Sequence, residues 1–386
     1  AAEGSLMIDL SQLHQVVVDP VARRARCGGG ATGADLDAAC QQHGLAVTAG
    51  VVSHTGVAGL TLGGGFGWLH RTMGLSIDNL AAVEVVLADG RCVRASEDDH
   101  PDLFWALRGG GGNFGVVTNF EFRLKPVGPE VHLALFFWDL DRSVEALRLC
   151  RDVVMDLPRN VGSMIAGGLN APPAPFVPDQ YHLTLGNALM VVGLSSAEQH
   201  QRLIEPIRAA LPPLFELVTP MPYAGLQQMF DDSYPWGIYA YDKSLYLNEL
   251  SDEAIDVVAE HLPGKSSPVS FLPIFPLGGA YGDIDNDATA FGGSRKARFN
   301  FDMAAAAPNV ELLAADRAWV RNLWEKLLPY ANKSAGYVNF MSEYQEDRVR
   351  ETYGQAKYER LARIKAEYDP DNVFHLNANI KPARTG

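Results

Sequence analysis

Residues 55–67, TGVAGLTLGGGFG, crowd glycines into a run that is otherwise apolar and strand-like. Glycine lacks a Cβ and tolerates positive φ, so such a backbone can lie flat against a bulky ligand. Three consecutive glycines, Gly63 to Gly65, would weaken an ordinary strand or helix. A second run, RGGGGNFG at 108–115, repeats the pattern. Because backbone N–H groups in glycine loops bind phosphate oxygens, the two runs predict one extended, phosphorylated cofactor.

The glycines do not fit a nicotinamide-type Rossmann site. That fingerprint requires a crossover helix and a second parallel strand that ends in an acidic residue. Asp89 lies near the expected distance, but residues 80–95, LAAVEVVLADGRCVRA, predict two alternating strands joined at Asp89-Gly90, which is a hairpin. Residues 68–79 contain Gly74 and leave no room for a full crossover helix. The local pattern therefore argues against the Rossmann fold.

The first part of the chain predicts short strands and one helix. Residues 6–10 favour a strand, and residues 15–27 favour a hairpin around Asp19-Pro20. Residues 32–43 favour an amphipathic helix with Thr32 as its N-cap. His70 and Arg71 follow the glycine run and predict a solvated or ion-paired loop, in which Asp78 is available to Arg71.

From about residue 130 the pattern is that of antiparallel strands covered by helices. Ser251 is the expected N-cap of one of these helices, and Pro206 interrupts another. The predicted strands are 131–137, 181–192, 297–304 and 336–341, and the predicted helices are 143–157, 197–211, 251–262, 315–330 and 349–367. Helices on one face of an antiparallel sheet predict an α+β substrate domain.

The two ends of the chain resemble one family. Residues 50–126 (GVVSHTGVAGLTLGGGFGWL, GLSIDNL, the ADGR hairpin and PDLFWALRGGGGNFGVVTNFEFRLKP) and the closing YVNF and YGQAKYERLARIKAEYDPDNVFHLNANIKP are similar to the berberine-bridge-enzyme-like FAD-linked oxidases. These belong to the PCMH-type, or vanillyl-alcohol-oxidase, flavoprotein superfamily. The resemblance implies an α+β fold with an FAD-binding domain at 1–128, a substrate domain at 129–344 and a return to the FAD-binding domain at 345–386.

The resemblance also implies where FAD lies. Residues 51–56 and 59–67 would follow the pyrophosphate and the flavin ring, and residues 113–117 the adenine and ribose. A tight helix-to-strand connection explains residues 109–115 equally well, and the two interpretations are compatible. The predicted cofactor-binding residues are Gly50, Val51, Val52, Ser53, His54, Thr55, Gly56, Gly59, Leu60, Gly63, Gly64, Gly65, Phe66, Gly67, Asn113, Phe114, Gly115, Val116, Val117, Asn377 and Asn379.

Covalent anchors known in this family are not visible in the sequence. Doubly anchored relatives carry a cysteine after A-G-V, whereas Val52 follows Ala49-Gly50-Val51 here and excludes a cysteinyl link. Relatives also carry an upstream glycine-flanked histidine that bonds to the flavin, and no R-G-G-G-H-like motif occurs in this chain. Either the chain is a fragment that lacks its N-terminal segment or that segment is genuinely missing, and we expect a fragment.

The catalytic base is not evident from the sequence. Several relatives place a tyrosine base after Y-x-N, and this chain has Phe340 there. Strand alternation puts Tyr239, Tyr241 and Lys243 on one face, where a lysine could lower a phenol's pKa, although an amphipathic strand explains the same pattern. The predicted catalytic residues are Tyr337, Asn339, Tyr241, Lys243 and His54, with Tyr344 and Tyr246 as further candidates.

Several of these residues have competing explanations. His54 could donate a hydrogen bond to the flavin edge or be satisfied by backbone within a crowded turn. The resemblance places Asn339, Asn377 and Asn379 near the ring or the substrate.

Composition limits the partners. A net charge of −14 argues against nucleic acid and anionic membranes, and no apolar run approaches the length of a membrane span. The four cysteines lack C-x-x-C spacing, which is typical of free thiols in a cytoplasmic protein, and no metal-binding spacing of histidines occurs.

The expected function is that of an FAD-dependent oxidase. The resemblance implies hydride transfer from an alcohol or amine of a sugar, an alkaloid-like compound or a natural-product intermediate to flavin N5, with O₂ as the acceptor. We expect a monomer or homodimer. The alternatives are a flavin-binding or scaffold protein without turnover, and a dehydrogenase that uses another acceptor.

Overall fold

The structure is a computed structural model that describes residues 4–332, 336–343 and 346–384. The strands are β1 (Val16–Asp19), β2 (Arg24–Gly28), β3 (Leu45–Ala46), β4 (Leu80–Val86), β5 (Cys92–Ser96), β6 (Val116–Arg123), β7 (Lys125–Pro126), β8 (Glu130–Asp139), β9 (Val161–Asn170), β10 (Leu185–Gly193), β11 (Phe215–Pro222), β12 (Tyr239–Leu247), β13 (Leu272–Pro276) and β14 (Phe299–Ala307). The helices are α1 (Gly33–Gln41), α2 (Val57–Gly63), α3 (His70–Met73), α4 (Pro101–Leu107), α5 (Ser143–Asp156), α6 (Ala197–Ala210), α7 (Tyr223–Gln227), α8 (Asp252–His261), α9 (Val310–Leu327), α10 (Glu346–Tyr353) and α11 (Gln355–Tyr368).

The first part of the chain is built on an antiparallel sheet in the order β1-β2-β6-β4-β5. β4 and β5 form the predicted hairpin, with Gly90 at φ +86° in its turn, so the crossover that a Rossmann fold needs does not occur here. Thr32 caps α1 as predicted: its hydroxyl accepts from Asp35 N, and the Asp35 carboxylate accepts from Thr32 N. α11 packs into the same core through Tyr358 and Leu361, so the C-terminus returns to this domain.

The second part is a seven-stranded antiparallel sheet in the order β11-β8-β10-β9-β13-β14-β12. Alternate strand residues pack on one face against α5, α6, α8 and α9, which gives the predicted α+β arrangement with helices on one face. Side chains on the other face form a second core, rich in aromatic rings, with Phe66 and Trp68 of the first part. α6 continues through Pro206, and Ser251 caps α8 as predicted.

Four local predictions were wrong. Residues 6–10 form no strand, and Leu6, Met7 and Ile8 are exposed. The first glycine run forms α2 rather than a strand. Residues 338–340 form a 3₁₀ turn. The predicted helix at 349–367 is two helices, because Gly354 adopts φ +71° and ends the first of them. No helix in the described ranges is long and apolar enough to cross a membrane.

A buried ion pair joins the two parts of the molecule. Arg295 donates to both carboxylate oxygens of Asp78, at 2.7 and 2.8 Å, and both side chains are at most 3% exposed. The predicted pairing of Asp78 with Arg71 was therefore wrong. Arg71 is buried and donates instead to the carbonyls of Leu277 and Leu157, and His70 lies buried between two backbone carbonyls rather than in solvent.

We predict that Asp78→Asn lowers the free energy of unfolding by about 3–5 kcal/mol, because it leaves the Arg295 guanidinium buried without its counter-ion. Urea titration followed by circular dichroism measures this change. The control is Glu84→Gln, which breaks the exposed Arg26–Glu84 pair and should cost at most about 1 kcal/mol. Equal losses in the two variants would show that the buried pair does not stabilise the junction.

Candidate active site

A cavity of about 750 Å³ lies between the first glycine segment and the inner face of the large sheet. One wall is backbone and side chains of residues 50–60, and the opposite wall is the face of β9, β13, β14 and β12. Residues 234–238 also line the cavity, and because Trp236 is 79% exposed we call this side the mouth. Its lining residues are Gly50, Val51, Val52, His54, Thr55, Gly56, Gly59, Leu60, Phe66, Met164, Phe230, Tyr234, Pro235, Trp236, Gly237, Ile238, Asp242, Phe271, Pro273, Phe275, Asp302, Ala304, Tyr337, Asn339 and Phe340.

Bare backbone faces the cavity at Gly56 and Gly59. A Cβ added to either glycine would meet no atom within 4 Å, so this wall has room for a flat group lying against it. These two positions, with their cavity-lining neighbours in 50–60, fit the expected flavin site.

The three consecutive glycines serve a different purpose. A Cβ on Gly63 would lie 2.0 Å from Asn339 Oδ1, one on Gly64 would lie 2.9 Å from the Phe291 ring, and one on Gly65 would lie 2.1 Å from the Ser76 hydroxyl. Gly67 packs against Gly50 in the same way. Protein packing therefore requires these glycines, whether or not a ligand also contacts them. Cofactor contact at these positions and at Ser53 stays a prediction.

The second glycine run forms a cluster with the C-terminal segment. Asn113 is buried; it donates to the carbonyls of Gly110 and Ala378 and accepts from Ile380 N at 3.0 Å. Phe114, Gly115, Val116 and Val117 continue as the helix-to-strand connection and the start of β6. Asn377 lies beside Gly112, and the buried Asn379 Oδ1 has no hydrogen-bond partner among the described residues. That unpartnered acceptor fits a cofactor that brings a donor to this segment.

Tyr337 and Asn339 hold the glycine segment in place. The Tyr337 hydroxyl accepts from Gly65 N and from Asn339 Nδ2, both at 2.7 Å, and Asn339 Nδ2 also reaches the Leu60 carbonyl at 3.0 Å. Burial raises the pKa of the Tyr337 phenol, which makes it a poor base near neutral pH. Phe340 packs against the rings of Tyr337 and Phe275. Tyr344 lies outside the described residues.

Strand alternation in β12 was predicted correctly, but the face assigned to the cavity was wrong. Tyr241 and Lys243 point toward α9: the Tyr241 hydroxyl accepts from Arg321 Nε at 3.1 Å, and Lys243 Nζ lies 4.4 Å from the centre of the Trp324 ring. Lys243 is also 3.5 Å from Glu343. Neither side chain lines the cavity, and Tyr239 is exposed where the strand begins.

The cavity instead contains two carboxylates that the sequence analysis missed. Ser244 of β12 pairs with Asp302 of β14, so Asp242 and Asp302 are diagonal neighbours on the inner face. Asp302 is 8% exposed, and its Oδ1 has no hydrogen-bond partner among the described residues. Burial raises the pKa of Asp242 to about 7, and burial together with the charge of Asp242 raises the pKa of Asp302.

His54 lies at the mouth of the cavity in a contact between the two domains. Its Nδ1 is 3.7 Å from Asp231, and its ring centre is 5.3 Å from that of Trp236, which is 79% exposed. The neighbouring Ser53 donates its N–H and hydroxyl to the Asp231 carboxylate. The structure therefore brings His54, Tyr337 and Asn339 to the cavity, and it places Tyr241 and Lys243 outside it.

Comparison with known proteins agrees with this arrangement. Residues 1–96 match the model of an FAD binding domain, and residues 336–381 match the berberine and berberine-like model. An FAD-linked oxidoreductase of Dictyostelium discoideum is 28% identical over 98% of this chain and 80% of its own length. A glucooligosaccharide oxidase of Sarocladium strictum is 27% identical over 98% of this chain and 79% of its own length. The class is thus that of FAD-binding oxidoreductases.

The solved structures give the same fold. The crystal structure of 6-hydroxy-D-nicotine oxidase from Arthrobacter nicotinovorans matches 99% of this chain and 83% of its own with a TM-score of 0.84, at 23% identity. The chain is similar along almost its whole length to the berberine-bridge-enzyme-like FAD-linked oxidoreductases, and FAD is its cofactor. The PCMH-type α+β fold expected from the sequence is confirmed. The domain limits at 128 and 344 stay a prediction.

We predict that Gly59→Ala weakens FAD binding at least about tenfold while raising the stability of the flavin-free protein by up to about 1 kcal/mol. Alanine is the better helix former in α2, but its methyl group would occupy the space facing the cavity. Flavin fluorescence titration and thermal unfolding measure the two effects.

The matched control is Gly225→Ala, in helix α7 and away from the cavity lining. A Cβ there makes only ordinary contacts, the nearest at 3.8 Å, so stability should rise with no change in FAD affinity. If Gly59→Ala left FAD affinity unchanged, the flavin would not lie against this wall.

Proposed function

We propose that this protein oxidises an alcohol or amine group of a small molecule held in the 750 Å³ cavity, with O₂ as the final electron acceptor. When bound, FAD supplies a hydride acceptor at its N5 atom. The observation that carries the proposal is the pair of carboxylates, Asp242 and Asp302, which face the glycine wall across an apolar cavity.

Residues of this chain would hold the cofactor through backbone and amide groups. Gly56 and Gly59 give the flat ring an uncovered surface, and Asn379 offers its unpartnered Oδ1 to a donor on the cofactor. Tyr337 and Asn339 fix the glycine segment, so they position the cofactor rather than exchange protons.

The carboxylate pair would accept the proton that the substrate loses. A general base works best when its pKa lies near the working pH, and burial brings the pKa of Asp242 to about 7. Neither Phe340 nor the engaged phenol of Tyr337 can take this role at neutral pH.

A proton on Asp242 would have a way out that does not cross the substrate. Asp242 also lines a separate cavity of about 90 Å³, with polar walls that include Ser342, Glu343 and Arg348. That volume is large enough for water, and β12 is the edge strand of the sheet, so this second cavity lies at the open edge.

We predict that kcat/KM rises with pH through about 7 and then levels off. The base must be deprotonated to act, so activity is low below the raised pKa of Asp242 and is fully present above it. Stopped-flow rates of flavin reduction, with a substrate that does not titrate in this range, give the profile. A rate independent of pH through this range would exclude the carboxylates as the base.

We predict that Asp242→Asn and Asp302→Asn each lower the rate of flavin reduction by about 10²–10⁴. Because each variant removes the like charge next to the remaining carboxylate, the midpoint of the residual pH profile should move to lower pH. Asp232→Asn, an exposed carboxylate on the loop at the mouth, is the control and should retain both rate and midpoint. Lower rates with an unmoved midpoint would indicate two independent groups.

Turnover itself is tested by flavin absorbance. Anaerobic addition of alcohols and amines should bleach the visible band with at least one compound, and admission of air should restore it. Recovery only with an added artificial acceptor would identify a dehydrogenase. A flavin that no compound bleaches would favour a binding protein without turnover.

A further inference from the structure

Most buried carboxylates in the described residues outside the cavity have internal partners, although Asp37 accepts from Gln227 through one oxygen only and its other oxygen has none. Asp78 is paired with Arg295, Asp369 with Lys365, and Asp316 accepts two backbone N–H groups and the Ser270 hydroxyl. Asp302 is 8% exposed, and its Oδ1 accepts no hydrogen bond in the described part of the chain. A buried, unpaired carboxylate is costly, so its retention beside Asp242 indicates a partner that the ligand brings.

The charged groups around the pair do not supply that partner. Across the cavity, His54 lies beside Asp231. Behind the edge of β12, Lys243 lies 3.5 Å from Glu343. The Arg348 guanidinium lies over the Trp324 ring and 3.5 Å from Glu351. Tyr234 and Tyr337 also interact electrostatically with Asp302, and their phenols carry no positive charge.

The rest of the lining suits an apolar body. Phe230 and Phe271 stack with ring centres 6.1 Å apart, and Tyr234 lies 6.3 Å from Phe271. Phe66, Phe275 and Phe340 form a second stack. Aromatic faces attract cations, by roughly 0.5–2 kcal/mol each depending on exposure.

We propose that the cavity selects organic cations with an apolar or aromatic body, such as protonated amines, and places the ammonium group beside Asp242 and Asp302. This inference names the substrate class of the site described above and therefore rests on the proposed function. One N–H proton of the ammonium passes to a carboxylate oxygen, and the nitrogen keeps the electron pair of that bond. The products of this step are a neutral amine and a carboxylic acid.

The test compares two probes of the same shape. Benzyltrimethylammonium carries the positive charge, and neopentylbenzene has carbon in place of nitrogen. Neither probe contains an amine with a free electron pair on nitrogen, so neither can be oxidised as an amine. Titration calorimetry on the FAD-loaded protein therefore reports binding alone. At about pH 8.5, above the pKa of about 7 of Asp242, the cation should bind at least about tenfold more tightly. Equal or tighter binding of the hydrocarbon would overturn the proposal without any variant.

Variants then assign the effect to the carboxylates. Asp302→Asn and Asp242→Asn should each remove most of the preference for the cation, whereas Asp232→Asn at the mouth should keep it. The preference should also shrink at about pH 5.5, because the pKa values of both cavity carboxylates are raised and the pair becomes protonated there. Retention of the preference in both cavity variants would place the cation elsewhere and contradict the proposal.

The outcome is distinguishable from failure of the proposed function. If the cation binds as predicted but neither amines nor alcohols bleach the flavin, the ligand class stands and the oxidase proposal fails. If an oligosaccharide such as cellobiose is oxidised while the cation shows no advantage, the oxidase proposal stands and the ligand class fails.

Discussion

The cavity depends on one hydrogen bond between distant parts of the chain, that from Gly65 N to the Tyr337 hydroxyl. It joins residues 272 positions apart and lies in a region where Gly63, Gly64 and Gly65 allow approach closer than any Cβ would permit. The glycine segment is therefore fixed relative to the large sheet. The backbone of 50–60 forms one wall of the cavity and the sheet the other, so this contact connects the two walls. Asp78 and Arg295 reinforce the same junction from within the core.

The sheet contributes the chemistry through its inner face. β12 and β14 are antiparallel neighbours, and each contributes one carboxylate to the same face. Tyr241 and Lys243 alternate to the opposite face, where α9 covers them. Because β12 is the edge strand, Asp242 meets the main cavity on one side and a small polar cavity at the edge. Asp242 thus contacts both the cavity proposed for the substrate and a separate small cavity.

Much of the fold followed from local sequence signals. The Thr32 and Ser251 caps and the Asp89-Gly90 hairpin depend on neighbouring residues, and each was predicted correctly. Long-range packing decided the errors: Gly63 to Gly65 meet Asn339, Phe291 and Ser76, which no local pattern reveals. The apolar residues 6–10 suggested a strand. They form none, because no neighbouring strand pairs with them among the described residues.

The site was harder to predict for the same reason. Alternation in YAYDKSLY showed which residues share a face but not which face meets the cavity, so Asp242 was overlooked between its neighbours. A usable signal existed in β14, where Asp302 is the one charged residue in FNFDMAAAA, a strand buried throughout. An acid in such a strand must have a partner or a function. The contacts of Asn113 with 378 and 380 could not be foreseen, because they join segments more than two hundred residues apart.

Low dielectric surroundings account for both proposed properties of the carboxylate pair. Burial raises the pKa values of Asp242 and Asp302, and the same burial leaves them in need of a cation. A bound ammonium would favour the ionised carboxylate and so keep the base ready for the proton it must take. Transfer of that proton turns two opposite charges into two neutral groups, a change that an apolar cavity favours over water. Substrate selection and proton acceptance therefore follow from one physical cause, the removal of two carboxylates from solvent.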